Sequence, residues 1–339
     1  MSAFRAIKLY LIYWTHIVFG TILFLVIMGR LAITHGPKSF FRVKKRNAKP
    51  NCVMNPKLGT HTFIKTAEGV KLHYVESGDQ TKPLMLLVHG FPDCWFTWKE
   101  QIIAFQKHYW VIAVDTRGCG ESDKLPRKSD YTTDKLAGDL KNMVTKLGRS
   151  SCILVGHDWG GMICWEFGYL FPEMVDKLII MNAPHPYVFS NTILDSWTQR
   201  TKSLYAFFFQ VPWIPEFALR WNDYSMFLRP DKGHKASFDY QEQVEAVKYS
   251  LSRPGTPTAS LNYYRANGLN VAPMLNRKVI TCPTFVIWGM KDKFLSSLLL
   301  DGLEDVVKDL KIERMEDAGH WVHQNQSIRV NQLVLQHLQ

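Results

Sequence analysis

Residues 154 to 164 have the sequence LVGHDWGGMIC, and this stretch decides the fold of the chain. Apolar residues lead into the pattern G-x-D-x-G, which has Asp158 at its centre and Trp159 after it. The pattern is typical of a sharp turn between a strand and a helix, which lifts one side chain above the end of a parallel sheet. The usual central residue is serine, which needs a base to activate it. A carboxylate is already ionised at pH 7, so we interpret Asp158 as a nucleophile that acts directly.

Length and charge limit what this turn can belong to. The chain has 339 residues, 46% of them hydrophobic, which is enough for one large α/β domain with an insertion. Its formal net charge of +11 is concentrated at the N-terminus, because residues 1 to 50 hold nine Lys or Arg and no Asp or Glu. The remainder has 32 basic and 30 acidic residues, a net charge of +2. We therefore expect a lipid bilayer, and no nucleic acid, as the partner of the basic segment.

The N-terminal segment contains LYLIYWTHIVFGTILFLVIMG, residues 9 to 29, which carries no formally charged side chain. As a helix it would be roughly 30 Å long, the thickness of the hydrocarbon core of a bilayer. We predict a single-pass transmembrane anchor within residues 1–50; a cleaved signal peptide and a buried core helix are the alternatives. Two bases precede the span and seven follow it, so the positive-inside rule predicts a cytoplasmic catalytic domain, on the endoplasmic reticulum membrane.

Beyond residue 50, short apolar runs alternate with helical patterns. Continuous apolar runs are typical of strands that are covered on both faces, and the alternation predicts a mostly parallel sheet. The predicted strands are VKLHYVE (70–76), LMLLVHG (84–90), WVIAVD (110–115), CILVG (152–156), KLIIMN (177–182), TFVIWG (284–289) and KIERME (311–316).

Residues 190–275 interrupt this alternation. They are rich in aromatic residues and proline and contain no clear strand pattern. We predict that they form a helical cap over the strand ends, where an α/β sheet binds its ligand. The cap would then divide the core into a first part at 51–189 and a second part at 276–339.

A carboxylate nucleophile of this kind needs a base and an acid that orients the base. Asp292 follows the predicted strand 284–289, and His320 follows the last predicted strand. The order nucleophile, acid, histidine is the order of the α/β-hydrolase fold, which we therefore predict. His323 is the alternative base. The six cysteines show no metal-ligand spacing, and we expect neither a metal nor a cofactor.

The segment His89-Gly90-Phe91-Pro92 ends another predicted strand. The backbone N–H of Phe91, together with that of Trp159, would form an oxyanion hole beside the nucleophile. Pro92 indicates a tight turn, which a cis peptide bond would give.

With these motifs the chain resembles the α/β-hydrolase-fold epoxide hydrolases, in particular the membrane-anchored animal members related to soluble epoxide hydrolase. The resemblance covers about residues 60 to 339. It implies two tyrosines in the cap that hold the epoxide oxygen, Tyr205 and Tyr264, with the adjacent Tyr263 as an alternative to the second. The motifs that carry the resemblance are HGFPDCWFTW, DTRGCGESD, GHDWGG, YAFFFQ, LNYYRAN, GMKDKF and AGHW.

The resemblance also implies a reaction. Asp158 opens the epoxide to form an alkyl-enzyme ester while the cap tyrosines protonate the leaving oxygen. His320, oriented by Asp292, then activates a water that hydrolyses the ester to a vicinal diol. A serine would form an ether without a carbonyl for water to attack. The aromatic cap and the anchor indicate a lipophilic epoxide, such as one on a fatty acyl chain.

Two other hypotheses fit the same motifs. A haloalkane dehalogenase uses the same aspartyl ester, and an inert membrane-anchored binding protein would keep the fold without the reaction. The paired cap tyrosines favour the epoxide, and the complete set of catalytic groups favours an enzyme. The identity of the epoxide and the oligomeric state stay open.

Overall fold

A twisted eight-stranded sheet forms the centre of the computed structural model, which describes residues 3–225, 228, 238–268 and 278–339. The strand order is β1-β2-β4-β3-β5-β6-β7-β8. Strand β2 pairs antiparallel with β1 and β4, and the other five neighbouring pairs are parallel. The strands are β1 (Thr60–Lys65), β2 (Lys71–Ser77), β3 (Leu84–Val88), β4 (Trp110–Val114), β5 (Cys152–His157), β6 (Val175–Met181), β7 (Thr284–Gly289) and β8 (Leu310–Met315).

Helices precede, cover and follow the sheet, and in the part of the chain that the structure describes six of them, α5 to α10, lie between β6 and β7. The helices are α1 (Ala3–His35), α2 (Lys99–Phe105), α3 (Thr133–Lys146), α4 (Trp159–Leu170), α5 (Pro186–Asp195), α6 (Trp197–Lys202), α7 (Leu204–Phe208), α8 (Ile214–Tyr224), α9 (Phe238–Leu251), α10 (Thr256–Asn267), α11 (Val322–Asn325) and α12 (Ser327–Leu338). We refer to α5–α10 as the cap. The predicted cap, 190–275, falls partly outside the described residues, and its boundaries stay predictions.

The central strands are apolar on both faces because hydrophobic cores lie on both sides of the sheet. In β3, Leu84, Leu86 and Val88 pack into one core. The intervening residues Met85 and Leu87 pack into the other. This explains why the central strands appear in the sequence as continuous apolar runs rather than alternating ones.

All seven predicted strands are present, with ends that differ by at most two residues from the predicted ones. Strand β1, whose sequence is THTFIK, is not among the predicted strands. This strand lies at the edge of the sheet, and its residues are exposed or half-buried. An exposed edge strand needs no apolar run, so it leaves a weak signal in the sequence.

The turn after β5 holds Asp158 in a strained backbone conformation. Its φ of 50° and ψ of −122° lie outside the regions that non-glycine residues ordinarily adopt. Close packing holds the turn in place: a Cβ atom on Gly160 would lie 2.1 Å from the carbonyl oxygen of Val88 in β3. One on Gly156 would lie 2.7 Å from the carbonyl oxygen of Gly160. The glycines of the motif therefore allow the turn to pack directly on the neighbouring strand.

Helix α1 is the candidate membrane helix. From Ile7 to His35 it is long and apolar enough to cross a bilayer, with a mean hydropathy of 2.2 over its most apolar window, and only 11% of that window is buried. An N-terminal signal sequence can meet the same criteria of length and composition.

The packing of the turn gives a prediction for stability. We expect Gly160→Ala to lower the free energy of unfolding by about 3 kcal/mol, because the new methyl group meets the rigid backbone of β3. Gly138→Ala, in the middle of α3, is the matched control, since a Cβ atom there would meet no described atom within 4 Å. It should raise the free energy of unfolding by about 0.5 to 1 kcal/mol. Urea unfolding of both variants measures this, and equal stabilities would contradict it.

Candidate active site

The carboxyl ends of four strands meet around Asp158. The loop after β3 brings Phe91, the turn after β5 brings Asp158 itself, and the loops after β7 and β8 bring Asp292 and His320. The backbone N–H of Phe91 donates to Asp158 Oδ1 at 2.8 Å, and His320 Nε2 lies 3.4 Å from Asp158 Oδ2. A Cβ atom on Gly90 would lie 2.4 Å from that of Asp158, so only glycine leaves room for the carboxylate.

A buried hydrogen-bond network orients His320. Its Nδ1 lies 2.7 Å from Asp292 Oδ2. The other oxygen of Asp292 accepts the backbone N–H groups of Phe294, at 2.7 Å, and Leu295, at 2.9 Å. The side-chain amide of Asn182, at the end of β6, donates to Asp292 Oδ2 at 2.7 Å. The carboxylate is therefore fixed on both oxygens, which fixes the ring of His320.

The charges of this site determine its protonation. Burial acts to raise the pKa of Asp158, but the hydrogen bond and charge of His320 outweigh it and hold this pKa below its ordinary value. Burial also acts to raise the pKa of Asp292, but the charge of His320 and the hydrogen bonds from His320, Leu295 and Phe294 together lower it. Burial acts to lower the pKa of His320, yet the two carboxylates raise it to about 10. At pH 7 the free protein thus holds an imidazolium between two carboxylates.

The loop after β3 is held by His89. Its Nε2 accepts the backbone N–H of Thr116 at 3.2 Å, which leaves the proton on Nδ1, 2.8 Å from the carbonyl oxygen of Gly90. Burial lowers the pKa of His89, consistent with a neutral ring. The next peptide bond, Phe91–Pro92, is cis, as the sequence predicts. His89 thus stabilises the loop through these hydrogen bonds, while Phe91 and Pro92 line a cavity beside Asp158.

The two cap tyrosines, Tyr205 and Tyr264, face Asp158. They belong to α7 and α10, their ring centroids are 5.9 Å apart, and both line the same cavities as Asp158. Burial raises the pKa of both phenols well above the ordinary value, so both are protonated at neutral pH. The ring of Trp159 lies beside these tyrosines, with its centroid 4.9 Å from that of Tyr264.

The structure also separates Tyr264 from its neighbour Tyr263. The hydroxyl group of Tyr263 lies 2.6 Å from the carbonyl oxygen of Arg117 and 2.9 Å from Oγ1 of Thr116. It is therefore bound to the core loop after β4 and not to the cavity. Tyr264 is the member of the pair that the fold brings to Asp158.

Two cavities meet at Asp158, Tyr205 and Tyr264. The larger, which we call the large cavity, holds about 600 Å³ of empty space, part of it continuous with the outside. It extends along the cap to Tyr13 of α1. The smaller one, which we call the small cavity, holds about 330 Å³ and is lined by His320. The carboxylate and both phenols line both cavities.

The alternative base and two further polar residues lie around this site. His323 is buried behind it, with Nε2 2.9 Å from Oγ1 of Thr97, so His320 is the histidine beside Asp158. Asn182 is not among the predicted site residues, because it ends a predicted strand as an ordinary polar residue. Asp93, which follows Pro92 and accepts a hydrogen bond from the Trp321 indole at 2.9 Å, is not among them either. Burial raises the pKa of Asp93 to about 7.

One group among the described residues has the donor atoms of a metal site. The donor atoms of His61, His73 and Glu121 lie within 4.8 Å of one another. His61 Nδ1 and His73 Nε2 already bond to each other at 2.8 Å, and Glu121 bonds to Lys49 Nζ at 2.6 Å. These internal bonds occupy the donor atoms, so the group acts as a hydrogen-bonded network.

Comparisons with known proteins agree with this geometry. The α/β hydrolase fold family matches residues 83–325. Epoxide hydrolase 4 of Homo sapiens is 39% identical over 307 residues, which cover 88% of this chain and 84% of that protein. Epoxide hydrolase 3 of Xenopus tropicalis is 39% identical over 313 residues, covering 89% and 84%. A crystal structure of the Bacillus megaterium epoxide hydrolase with an inhibitor has a TM-score of 0.75 at 32% identity, covering 82% of this chain and 99% of that one.

Fold and site thus define a hydrolase of the α/β-hydrolase fold with an aspartate at the nucleophile position. Within that fold, the chain belongs to the epoxide hydrolases, the enzymes that add water to an epoxide.

The electrostatics of the site predict how His320 responds to its neighbour. Asp158→Asn removes one of the two carboxylates without changing the shape of the side chain. We expect the pKa of His320 to fall from about 10 by roughly 1 to 3 pH units, the usual effect of an adjacent opposite charge. Histidine NMR titration measures this. Asp93→Asn is the control and should have a smaller effect, because that carboxylate bonds to Trp321. An unchanged pKa in Asp158→Asn would contradict the coupling.

Proposed function

We propose that this protein hydrolyses lipophilic epoxides to vicinal diols through a covalent ester on Asp158, with neither metal nor cofactor. The observation that carries the proposal is the position of an ionised carboxylate on a strand-to-helix turn, facing two protonated phenols across one cavity. An epoxide bound there would have its ring carbon beside the carboxylate and its oxygen beside the phenols.

In the first step, a carboxylate oxygen of Asp158 attacks a ring carbon and the bond from that carbon to the ring oxygen breaks. The N–H of Phe91 holds Oδ1, so attack by Oδ2 leaves Oδ1 as the carbonyl oxygen of the ester. The leaving alkoxide takes a proton from Tyr205 or Tyr264. Their raised pKa values keep both phenols protonated until the alkoxide, a stronger base than phenolate, begins to form.

In the second step, the formation of the ester lowers the pKa of His320, which then acts as the base. Forming the ester removes the charge of Asp158, which is one of the two charges that hold the pKa of His320 high. The pKa of His320 then falls, and the imidazolium returns its proton to the phenolate that the first step left on Tyr205 or Tyr264. Neutral His320, still held by Asp292, can then take a proton from water. The hydroxide attacks the ester carbonyl, and the N–H groups of Phe91 and Trp159 stabilise the oxyanion. Collapse of this intermediate breaks the bond between the carbonyl carbon and the alkyl oxygen. That oxygen takes the proton of the carboxylic acid formed at Asp158, so the diol leaves and the carboxylate is restored.

The walls of the large cavity support a lipophilic substrate. They are aromatic and aliphatic except for a few polar groups, and among them Met162, Phe189 and Leu295 surround the space beside Trp159. Such walls favour an alkyl or acyl chain over a polar substituent. We propose that residues 190–275 form the cap that closes this space, between core segments 51–189 and 276–339.

We also propose that α1 anchors the protein to the endoplasmic reticulum membrane, with the catalytic domain in the cytoplasm. The seven bases between Arg30 and Lys49 support this orientation. A helix that crosses the bilayer and a helix that lies in the cytoplasmic leaflet both leave the catalytic domain on that side.

The two-step reaction predicts that the intermediate can be trapped. His320→Gln should form the ester but hydrolyse it slowly, so intact-protein mass spectrometry should show one substrate mass added at Asp158. Asp158→Asn should show no adduct. His323→Gln is the matched control: it removes a nearby histidine that bonds to Thr97, and it should turn over without accumulating ester. If folded His320→Gln never shows the adduct, His320 is not the base of the second step.

The tyrosines distinguish epoxide opening from other reactions of an aspartyl ester. We expect Tyr205→Phe or Tyr264→Phe alone to slow ester formation by about tenfold, because one phenol still donates, and the double variant to slow it by roughly 10²–10⁴-fold. Single-turnover kinetics on an epoxide measures this. Tyr263→Phe is the control: its hydroxyl group bonds to Arg117 and does not face the cavity, so this variant should slow ester formation less than either of the other single substitutions.

Two results would count against the epoxide mechanism. Ester formation at the normal rate in the double variant would remove the phenols from the reaction. Release of chloride from a haloalkane by the unmodified protein would favour the dehalogenase hypothesis instead.

A further inference from the structure

Helix α1 contacts the cap at both of its ends. Near its start, the guanidinium group of Arg5 lies 3.5 Å from Asp195 at the end of α5. At its end, 30 residues later, the ring of His35 packs edge-on against Trp221 in α8, with centroids 5.6 Å apart. The helix thus follows the surface of the cap for its whole length.

The middle of α1 also packs closely on the cap. Phe24 stacks on Phe208 of α7, with ring centroids 4.3 Å apart and planes at 2° to each other. At Gly20 a Cβ atom would lie 2.9 Å from the carbonyl oxygen of Leu204, so the absence of a side chain allows the two helices to approach. One face of α1 is therefore a built interface with the cap.

The opposite face of α1 is apolar and exposed. Leu11, Val18, Ile22 and Val26 are each more than half exposed, and no formally charged residue occurs between residues 9 and 29. An uncharged, apolar helix face of this length is suited to contact with lipid rather than with water. Trp197 of α6, 63% exposed and packed beside His16, adds an aromatic residue of the kind found at membrane interfaces.

These contacts determine how α1 can lie in a membrane. The ends of a crossing helix are separated by the hydrocarbon core, which is about 30 Å thick. Since both ends of α1 contact the same cap, a crossing helix would draw the cap into the bilayer with it. A helix that lies flat in one leaflet keeps every contact with the cap. This arrangement differs from the single crossing predicted from the sequence, because hydropathy measures length and composition and not contacts.

The large cavity continues from Asp158 to this helix. Its wall includes Tyr13 of α1, together with Ala206 and Gly268 of the cap side. A further cavity of about 440 Å³ shares these three residues and extends between α1 and the cap to Leu9. The two cavities adjoin at these residues, and α1, whose opposite face is apolar and exposed, contributes to the wall of both.

We propose that α1 lies flat in the membrane surface and forms the outer wall of the path by which lipophilic epoxides pass from the bilayer to Asp158. Tyr13 controls the width of this path. A Cβ atom on Gly268 would lie 2.0 Å from the hydroxyl oxygen of Tyr13, so the phenol closes directly against the backbone of the cap. This inference rests on the proposed epoxide hydrolysis.

Enlarging Tyr13 tests the path. Full-length protein is reconstituted in phosphatidylcholine vesicles and assayed on a long-chain epoxide dissolved in the vesicles and on styrene oxide supplied in water. Tyr13→Trp should lower kcat/KM for the long-chain epoxide by about tenfold and change that for styrene oxide much less, since the bulkier ring narrows only the lipid-side path. Leu9→Trp, at the far end of the path, should give the same pattern.

Tyr10→Trp is the matched control, because Tyr10 is the same residue type on the exposed face of the same helix. It should leave both substrates unaffected. Equal loss for both substrates in Tyr13→Trp and Leu9→Trp, or loss for neither, would overturn the path. Failure of the unmodified protein to hydrolyse either epoxide would defeat the proposed function instead.

Terminal tags test the flat placement of α1 without relying on activity. In sealed microsomes, tags at the N-terminus and the C-terminus should both be digested by added protease, because a flat helix leaves both ends in the cytoplasm. Protection of only one tag would show a crossing helix and overturn the flat placement. Protection of both would overturn the cytoplasmic orientation.

Discussion

The site depends on one electrostatic constraint, which is the presence of three ionised side chains in one largely buried place. Asp158, Asp292 and His320 together carry one net negative charge, and burying such charges is costly unless they are paired and hydrogen-bonded. The imidazolium between the carboxylates offsets most of the cost. Backbone N–H groups from the loops after β3 and β7 offset the remainder, and Asp158 also lies at the N-terminus of α4, where the helix dipole favours an anion. The four strand ends must therefore meet at one point for the charges to be tolerated.

The cap adds a second requirement, since Tyr205 and Tyr264 belong to a segment that is separate from the sheet. Residues of α10 that do not face the cavity hold the helix in register with the core. The hydroxyl group of Tyr263 bonds to the carbonyl oxygen of Arg117, and the amide of Asn267 donates to the carbonyl oxygen of Tyr131 at 3.0 Å. The two adjacent tyrosines thus have different roles: Tyr263 fixes the helix, and Tyr264 faces the carboxylate.

The sequence predicts much of this arrangement, and the reasons are local. The central strands are visible because they are buried on both faces, and the turn at Asp158 is visible because close packing requires glycine at fixed positions. The edge strand β1 is not visible, since its exposed residues need no pattern. Tyr263 and Tyr264 cannot be separated in the sequence, because the direction of each side chain depends on the rotation of α10 against the core. The bond of Asn182 to Asp292 joins residues 110 positions apart, and no local pattern reports it.

The packing of α1 against the cap has a consequence for how this enzyme can be handled. An apolar N-terminal helix is a common target for deletion when a water-soluble form is wanted. Here the deletion would uncover Phe207 and Phe208, which are at most 3% exposed while α1 is present, and it would remove the residue that closes the large cavity beside Gly268. The shortened chain would expose an apolar surface, and its large cavity would be open to solvent. Its solubility and its substrate selectivity would therefore differ from those of the full-length enzyme.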